Sequence, residues 1–374
     1  MGNTFITLQQ IAREALPRLR ENLVFPALSY RDFSDDFGDM GATVQIRKPA
    51  VLTAGEFDQS TGVSYGDISE ASVPVTLNKI ATVDVAATAL ESAVSMNNLD
   101  ALRRDFIEPA AQALAEKINR DGLELYKDIP YFTGNAGTTP ASLNDLAGIR
   151  KALNKNKVPV SPRYAVMDTE ADASLITIPA LVNCEKSGSS EALRLGSIGR
   201  VFGIDYFTSQ AVKSHVTGIT AEAGVTLAAA TQAGDDEIAI SGTLLTGKLV
   251  KGDLISIAGA GYTVTCDSAA AANNAIASVK VYPALPALAS GTGVTLIGNH
   301  TASLAFNPMA FAFVSRPLLN PDGRGVESYV TSYDGISLRV TKGYDQKFKR
   351  ATYSMDVLYG YKTVYPELAV RVLG

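Results

Sequence analysis

The residue types that most often carry chemistry are scarce in this chain. It contains two histidines, His215 and His300, and two cysteines, Cys184 and Cys266, among 374 residues. Two isolated histidines do not make a histidine-rich metal site or a relay, and the cysteines lack the short spacing of a zinc or redox motif. We therefore expect each histidine to be exposed or hydrogen-bonded, both thiols to be buried, and no metal or cofactor to be bound.

Carboxylates form two clusters that could also support chemistry. The first, in a turn-rich segment, consists of Asp35, Asp36 and Asp39. It lacks the spacing and closing glutamate of a calcium loop, so we predict a solvated acidic turn. The second, Asp168, Glu170 and Asp172, follows a predicted buried strand and permits a carboxylate-based active site. Helix capping is the simpler interpretation, because carboxylates are favourable at a helix N-terminus.

Composition and charge exclude several classes of protein. The chain carries 33 basic and 38 acidic side chains, a net charge of −5, and no long basic run, so it lacks the footprint of a dedicated nucleic-acid-binding protein. No phosphate-binding loop, dinucleotide fingerprint or nucleophile elbow is present. The sequence has neither a run of 18 apolar residues nor a secretory signal, which predicts a cytoplasmic protein without membrane contact. Its length predicts two or more domains.

The strongest helical pattern lies between residues 98 and 128. Apolar residues recur there at steps of three and four: Leu99, Leu102, Phe106, Ala110, Ala113, Leu114, Ile118 and Leu125. Because proline disrupts a helix interior, Pro109 divides the stretch. We predict a short helix capped by Asn98 or Asp100, followed by a helix of about 20 residues that begins at Pro109.

Two segments before this helix cannot bury their apolar faces alone. Residues 8–23 have helical periodicity with Pro17 inside, so this amphipathic arm must dock either on its own domain or on another subunit. The residues leave both options open. Residues 34–76 alternate at strand period on either side of a polar, turn-rich tip, which predicts a long hairpin resting on a neighbouring subunit.

The rest of the chain changes character twice. Residues 129–212 combine helical and strand patterns, whereas residues 213–300 are rich in short strands separated by glycine-bearing turns. We interpret the second segment as an inserted small β-barrel or sandwich. The mixed pattern then resumes, and long alternating strands follow. We expect the carboxyl-terminal strand to pair with the strand near residues 75–85.

Several stretches resemble a known family. They are residues 90–95 (Leu-Glu-Ser-Ala-Val-Ser), 112–119 (Gln-Ala-Leu-Ala-Glu-Lys-Ile-Asn), 203–212 (Gly-Ile-Asp-Tyr-Phe-Thr-Ser-Gln-Ala-Val), 252–259 (Gly-Asp-Leu-Ile-Ser-Ile-Ala-Gly) and 355–367 (Met-Asp-Val-Leu-Tyr-Gly-Tyr-Lys-Thr-Val-Tyr-Pro-Glu). With the order of segments, they resemble the major capsid proteins of tailed bacteriophages with the HK97-type fold, closest to the P22-like coat branch.

The resemblance implies an α+β fold with a defined domain order. The expected segments are an N-terminal arm (1–33), an extended hairpin loop (34–76), a peripheral strand with the spine helix (77–128), an axial α/β domain (129–212 and 301–340), an inserted domain (213–300) and peripheral carboxyl-terminal strands (341–374). In that family the arm, the hairpin and the peripheral strands contact other subunits, and the α/β region meets at the capsomer axes.

The implied function is structural and not catalytic. Such subunits form pentamers and hexamers that close into an icosahedral shell around double-stranded DNA, with a scaffolding protein, a portal and in some cases a decoration protein as partners. The subunit would be assembled in the host bacterial cytoplasm and reside in the virion capsid. The intersubunit residues this implies are Ile11, Leu16 and Leu19 in the arm, and Arg47, Lys48, Glu56 and Asp58 in the hairpin.

Two alternatives belong to other classes of protein. An encapsulin-like nanocompartment has the same fold and encloses enzyme cargo, but its subunits are usually shorter and rarely carry such an insert. A carboxylate-dependent enzyme using Asp168 and Glu170 is the second alternative. Particles of uniform size would favour either kind of shell, and catalysis lost on changing Asp168 or Glu170 would favour the enzyme.

Overall fold

A computed structural model describes residues 8–31, 43–48, 71–88, 106–183, 185, 191–320, 326–348 and 350–374. The chain divides into two compact units. Unit 1 comprises Met1–Leu16, Arg31–Ile107 and Ala312–Val364, and unit 2 comprises Pro17–Tyr30, Glu108–Phe311 and Tyr365–Gly374. The finer boundaries expected from the sequence, including those of the insert at 213–300, stay a prediction.

The described residues form short helices and many strands. The helices are α1 (Leu8–Asn22), α2 (Phe25–Leu28), α3 (Glu108–Leu123), α4 (Leu143–Lys155), α5 (Thr169–Ile176), α6 (Pro179–Val182) and α7 (Glu191–Leu195), with 3-10 turns at Glu124–Asp128, Pro308–Ala310 and Pro366–Leu368. The first strands are β1 (Thr43–Lys48), β2 (Ala71–Thr76), β3 (Lys79–Thr88), β4 (Phe132–Thr133), β5 (Tyr164–Met167), β6 (Arg200–Val201), β7 (Ile204–Thr208) and β8 (Ser214–His215). The next are β9 (Ile219–Ala223), β10 (Thr226–Leu227), β11 (Glu237–Ser241), β12 (Leu244–Gly247), β13 (Leu254–Ile257), β14 (Ala260–Val264), β15 (Ala275–Tyr282) and β16 (Val294–Leu296). The last are β17 (His300–Phe306), β18 (Phe311–Arg316), β19 (Glu327–Tyr333), β20 (Ile336–Asp345), β21 (Arg350–Thr363) and β22 (Ala369–Leu373).

Unit 1 is built on long antiparallel strands. Strand β21 pairs with β20 and with β3, the latter in a register that runs from Arg350↔Thr88 to Tyr359↔Lys79. Strands β19 and β18 complete this five-stranded sheet. The carboxyl-terminal strand β22 belongs to another sheet, so the prediction that it pairs near residues 75–85 is wrong. The sequence pattern identified strands but not their partners, because a hydrophobic pattern reports burial and not which strand lies alongside.

The predicted hairpin is present as two described strands. β1 and β2 pair antiparallel, from Thr43↔Thr76 to Lys48↔Ala71. Ile46 and Val75 are buried, which accounts for the alternating pattern. The tip of the predicted hairpin, residues 49–70, lies outside the described residues.

A mixed sheet in unit 2 carries helix α4 on its surface. The strand order is β4-β22-β17-β5-β7-β6, with β8 paired to β17, and β5 and β7 run parallel. Helix α4 begins in a capping box, where Ser142 Oγ accepts the Asp145 N–H and the Asp145 carboxylate accepts the Ser142 N–H. Its buried face, Leu146, Ile149 and Leu153, joins a core with strand residues such as Ala305 and Val370, as its spacing predicts.

Residues 219–296 form a closed barrel. Six strands follow the order β10-β11-β15-β14-β13-β16. The two ends of this sheet meet, since Leu227 N donates to Thr292 O at 2.9 Å and Val294 N donates to Val225 O at 2.9 Å. Closure leaves no unpaired edge between these end strands, and the interior is filled by isoleucine, leucine and valine. The structure therefore has a barrel in the segment where the sequence predicts a barrel or sandwich.

The barrel leaves and rejoins the sheet at one point. His215, at the end of β8, pairs with His300, at the start of β17, and Ser214 pairs with Thr301. Just beyond this pair, Thr217 N donates to Asn299 Oδ1 at 2.9 Å. These paired residues form the neck, which we define as residues 214–218 and 298–301.

Helix α3 confirms the predicted spine helix within its described part. It begins at Glu108, one residue before the predicted Pro109, and its 16 residues span about 24 Å. Ala110, Leu114 and Ile118 are buried, but Ala113 is exposed, so its predicted inward position is wrong. The buried stripe continues through polar Asn119, whose side chain accepts the N–H groups of Val24 and Phe25 at 3.1 and 3.2 Å. The predicted short helix before residue 106 lies outside the described residues.

The apolar face of helix α1 is buried within its own chain. Ile11, Leu16 and Leu19 are 2%, 4% and 0% exposed. Of the two docking options left open by the sequence, the structure therefore has the arm docked on its own subunit. Side chains this deeply buried contribute to the stability of the subunit.

We predict that Leu19→Ala destabilises the subunit by about 2–5 kcal/mol, because it removes a fully buried side chain and leaves a cavity. Denaturant unfolding of the unassembled chain measures this loss. Glu21→Ala in the same helix is the matched control, since Glu21 is exposed and its replacement should change stability by no more than about 0.5 kcal/mol. Equal stability of the two variants would contradict the burial of the arm.

We also predict that residues 216–299 fold when they are expressed alone, because the buried cluster of the barrel consists of residues from that segment. Near-native β-sheet circular dichroism and dispersed amide NMR signals are the expected result. The same fragment with Ile255→Asn should be unfolded, since Ile255 is fully buried. An unstructured parent fragment would show that the barrel depends on the rest of the chain.

Candidate functional site

The carboxylate cluster after strand β5 is a helix cap. Asp168 precedes α5, and its Oδ2 accepts the Glu170 N–H at 3.3 Å. Its backbone carbonyl accepts the Asp172 N–H at 2.9 Å. The Glu170 side chain is exposed. The capping interpretation is thus confirmed for Asp168.

The cysteine prediction is wrong for one residue. Cys266 is an exposed free thiol at the end of β14, where the chain leaves the barrel wall. Among the described residues, no three His, Cys, Asp or Glu side chains are placed to hold a metal ion. Cys184 and the acidic cluster at 35–39 lie outside those residues.

Both histidines belong to a buried polar cluster, which we define as Tyr126, His215, Asp253, His300 and Arg371. His215 Nε2 lies 2.7 Å from Asp253 Oδ1, and His215 Nδ1 lies 2.9 Å from the Tyr126 hydroxyl. An ionised carboxylate can only accept, so Nε2 carries a hydrogen, and in the neutral ring Nδ1 then accepts the hydroxyl proton. This residue is satisfied, as the sequence predicts.

His300 departs from that prediction. Its Nδ1 donates to Gly298 O at 2.8 Å, but its buried Nε2 has no hydrogen-bond partner. The His215 and His300 rings are stacked at a tilt, with centroids 5.3 Å apart. Burial lowers the pKa of His300 to about 4, and the nearby Arg371 and His215 act in the same direction.

Arg371 is the charged centre of the buried polar cluster. Its side chain is fully buried, and it donates from Nη1 to Gly252 O at 2.7 Å and from Nη2 to Thr263 Oγ1 at 2.9 Å. The guanidinium carbon lies 5.1 Å from the centre of the Tyr126 ring, a cation–π contact. Burial lowers the pKa of Arg371 to about 9, whereas burial raises the pKa of Tyr126.

The buried polar cluster joins the barrel to the rest of unit 2. Gly252, Asp253 and Thr263 belong to the barrel, whereas Tyr126 and Arg371 belong to the 3-10 turn after α3 and to β22. Gly252 has a φ of +99°, and a side chain there would meet Lys127 Cγ at 2.7 Å, so only glycine allows this approach. Outside the cluster, Lys251 pairs with Asp128 at 3.1 Å, and Lys213 pairs with Glu124.

The contacts of the buried polar cluster suit attachment of the barrel to the rest of unit 2 and not catalysis. Tyr126, His215 and Asp253 have the sequence of contacts of a catalytic relay, but His215 and Asp253 are 3% and 1% exposed and no substrate can reach them. Sequence reasoning missed the cluster because its members are distributed from residue 126 to residue 371. One signal was present: Arg371 interrupts the otherwise apolar strand Ala369–Leu373.

The predicted intersubunit residues fall in different places. Arg47 and Lys48 lie in β1, opposite Ser72 and Ala71. Glu56 and Asp58 lie outside the described residues. Ile11, Leu16 and Leu19 are buried, so their role at an interface stays a prediction that substitutions cannot test without also weakening the subunit.

Apolar side chains that sequence reasoning did not select are exposed in unit 2. Leu193 and Leu195, on α7, are 72% and 75% exposed. Val160, in the turn after α4, is 70% exposed. Exposed apolar side chains on a subunit are a surface that another protein can cover. None of the helices in the described ranges is long and apolar enough to cross a bilayer.

Comparison with protein families identifies the carboxyl-terminal part of the chain. Residues 201–374 match the model described as P22 coat protein, gene protein 5. A search of curated proteins finds no match.

One solved structure extends the likeness over 94% of the chain. A structure from Mycobacterium phage Che8 is 16% identical and covers 94% of this chain and 90% of its own, with a TM-score of 0.54. The capsid of cyanophage P-SCSP1u is 13% identical and covers 89% of this chain and 83% of its own, with a TM-score of 0.47. The mature capsid of bacteriophage PhiM1 is 10% identical and covers 94% of this chain and 86% of its own, with a TM-score of 0.48.

The predicted α+β fold of HK97-type capsid proteins is thereby confirmed. The nanocompartment alternative is not favoured, and an enzyme is not supported. Residues 201–374 are therefore similar to the P22 coat protein family, and the chain as a whole has the fold of HK97-type capsid proteins.

Proposed function

We propose that this subunit forms pentamers and hexamers that close into an icosahedral shell around double-stranded DNA. The observation that carries the proposal is the coat-protein match of residues 201–374, which include the barrel and the long strands β19, β20 and β21 of unit 1. Assembly in the host bacterial cytoplasm, with a scaffolding protein, a portal and in some shells a decoration protein, belongs to the same proposal.

The surface of the subunit supports assembly by contacts between copies. The side chains of Leu193 and Leu195 are exposed in the single chain, and covering them with a neighbour would remove apolar area from water. Each fully covered leucine contributes about 1.5–3 kcal/mol by this effect, before the cost of association. A closed shell repeats such a contact in every capsomer, so a small free energy per contact is sufficient.

The net charge of the chain fits enclosure without sequence-specific DNA binding. A charge of −5 gives little attraction between the shell wall and phosphates. We therefore propose that the DNA is retained by the closed wall and not by base or phosphate contacts spread over the subunit.

The hairpin is our proposed intersubunit element. A two-stranded ribbon is marginally stable alone, and β1 pairs only with β2 among the described strands. We propose that Arg47, Lys48, Glu56 and Asp58 make polar contacts between this hairpin and a neighbouring subunit. The arm residues Ile11, Leu16 and Leu19 would act indirectly, by holding α1 in place within its own subunit.

We predict that the full chain, expressed alone or with its scaffolding protein, gives closed particles or regular tubes in negative-stain electron microscopy. Light scattering on the same sample measures the mass in solution. Nucleic-acid content then separates a viral shell from a cargo compartment. A persistent monomer of 39.4 kDa at high concentration, even with scaffold, would overturn the shell proposal.

We further predict that Arg47→Glu with Lys48→Glu abolishes particle formation and leaves the subunit folded, because charge reversal replaces attraction with repulsion at the proposed contact. Circular dichroism measures folding, and electron microscopy measures particle yield. Arg47→Lys with Lys48→Arg is the matched control, which keeps both charges and should assemble. Normal yield from the reversed-charge variant would remove the hairpin cations from the interface.

A further inference from the structure

We propose that the buried polar cluster is a reversible attachment, and that proton uptake at His300 releases the barrel so that it moves as a body on its neck. This inference concerns the subunit itself and does not rest on the proposed shell. It assigns a conformational role to the two histidines, which the capsid function leaves unexplained.

The barrel is connected to the rest of unit 2 in two different ways. The neck is a covalent connection whose two chains are paired at His215↔His300. The second connection is the non-covalent contact of Gly252, Asp253 and Thr263 with the body. Because the barrel has its own closed sheet and its own core, loss of the second connection leaves the barrel folded.

The non-covalent connection depends on few polar contacts. The neck contributes His215 to Asp253, and the body contributes Arg371 to Gly252 and Thr263 and the carbonyl of Lys127 to the Thr263 hydroxyl at 2.8 Å. All these groups are buried, so separating one partner without water would leave an unsatisfied charge or dipole. The attachment is therefore strong when it is complete and weak when one charge in it changes.

The charges that face His300 disfavour its protonation in the attached state. Arg371 approaches from β22, His215 from β8 and Asp253 from the turn before β13. Asp253 is the one acidic group among them, and both its oxygens already accept hydrogen bonds, from His215 Nε2 and Val250 N. Burial is the largest cause that disfavours a proton on His300, and that proton would place a second positive charge beside buried Arg371; the Gly298 carbonyl and Asp253 oppose this effect without cancelling it.

This arrangement sets the direction of the pH dependence. The pKa of His300 is about 4 in the attached state, whereas a solvated histidine titrates near 6.5. Above pH 6.5 both states are neutral at His300 and the attachment is fully present. As the pH falls from 6.5 towards 4, the released state binds the proton more tightly, and the ratio of released to attached barrel rises by at most about 300-fold.

Hydrogen exchange on the full-length chain between pH 7 and pH 4.5 tests the proposal, after correction for the intrinsic exchange rate. We expect the amides of Val250 and Thr217, at the junction and the neck, to lose protection as the pH falls. Amides of β11 and β15 inside the barrel should keep theirs. If the amides of β11 and β15 lost protection at the same pH as those of Val250 and Thr217, the barrel would be unfolding, and the proposal would be overturned.

His300→Asn is the decisive variant, because its amide can donate to Gly298 O but does not titrate in this range. We expect the acid response of Val250 and Thr217 to disappear in this variant. Asp267→Asn is the matched control, since Asp267 is an exposed carboxylate at the same junction, paired with Lys248, and its loss should leave the response in place. An unchanged response in His300→Asn would overturn the proposal.

NMR of the full-length chain with labelled histidine gives a second test, which does not depend on particle assembly. With two histidines in the sequence, two ring signals are expected, and His300→Asn or, if that variant does not fold, His300→Gln assigns them. We expect one ring to titrate well below pH 6.5. Titration of both rings near 6.5 would contradict the proposal.

Discussion

The interaction on which the described part of unit 2 depends is the burial of the Arg371 guanidinium. A fully buried cation is costly, and it is tolerated only where donors find acceptors of good geometry. Arg371 meets that requirement in part: Nη1 and Nη2 donate to two barrel residues, Gly252 and Thr263, and the guanidinium lies over the Tyr126 ring, whereas the buried Nε has no hydrogen-bond partner. Arg371 consequently contacts the 3-10 turn after α3 and the barrel from the carboxyl-terminal strand, and it acts together with the His215–Asp253, Thr263–Lys127 and Lys251–Asp128 contacts. An apolar residue at this position would fill the space but would not select one orientation of the barrel.

Much of the local structure was predictable because hydrophobic periodicity reports burial directly. The spacing of Ala110, Leu114 and Ile118 predicted α3, and the short strands expected between residues 213 and 300 include those of the barrel. The partners of the strands were not predictable, because hydrophobic patterns mark β21 and β22 as strands but do not specify that they belong to different sheets. The inward position assigned to Ala113 failed for a related reason: alanine fits either face of a helix and so carries little information about orientation.

For the candidate site, the sequence predicted the lack of catalytic machinery but not the buried polar cluster. The scarcity of histidine and cysteine argued against catalysis, and capping by Asp168 was expected from its place before a helix. The buried polar cluster was not predictable, because Tyr126, His215, Asp253 and Arg371 come from four separate parts of the chain. Single-sequence patterns describe neighbours along the chain, whereas this cluster is created by tertiary contacts. The burial of Leu19 within its own subunit was undecidable in the same way, since an amphipathic helix has the same pattern whichever surface covers it.

The pairing of β3 with β21 has a consequence for synthesis of the chain. Thr88 faces Arg350, so the central strand of unit 1 emerges from the ribosome long after its partner. At the usual 5–20 residues per second the delay is on the order of tens of seconds. During that interval β3 has an open edge, while the barrel and most of the mixed sheet can already close. Nascent chains therefore expose a strand that can pair with a second nascent chain. Slow translation between β3 and β21 would lengthen the time during which this wrong pairing can occur.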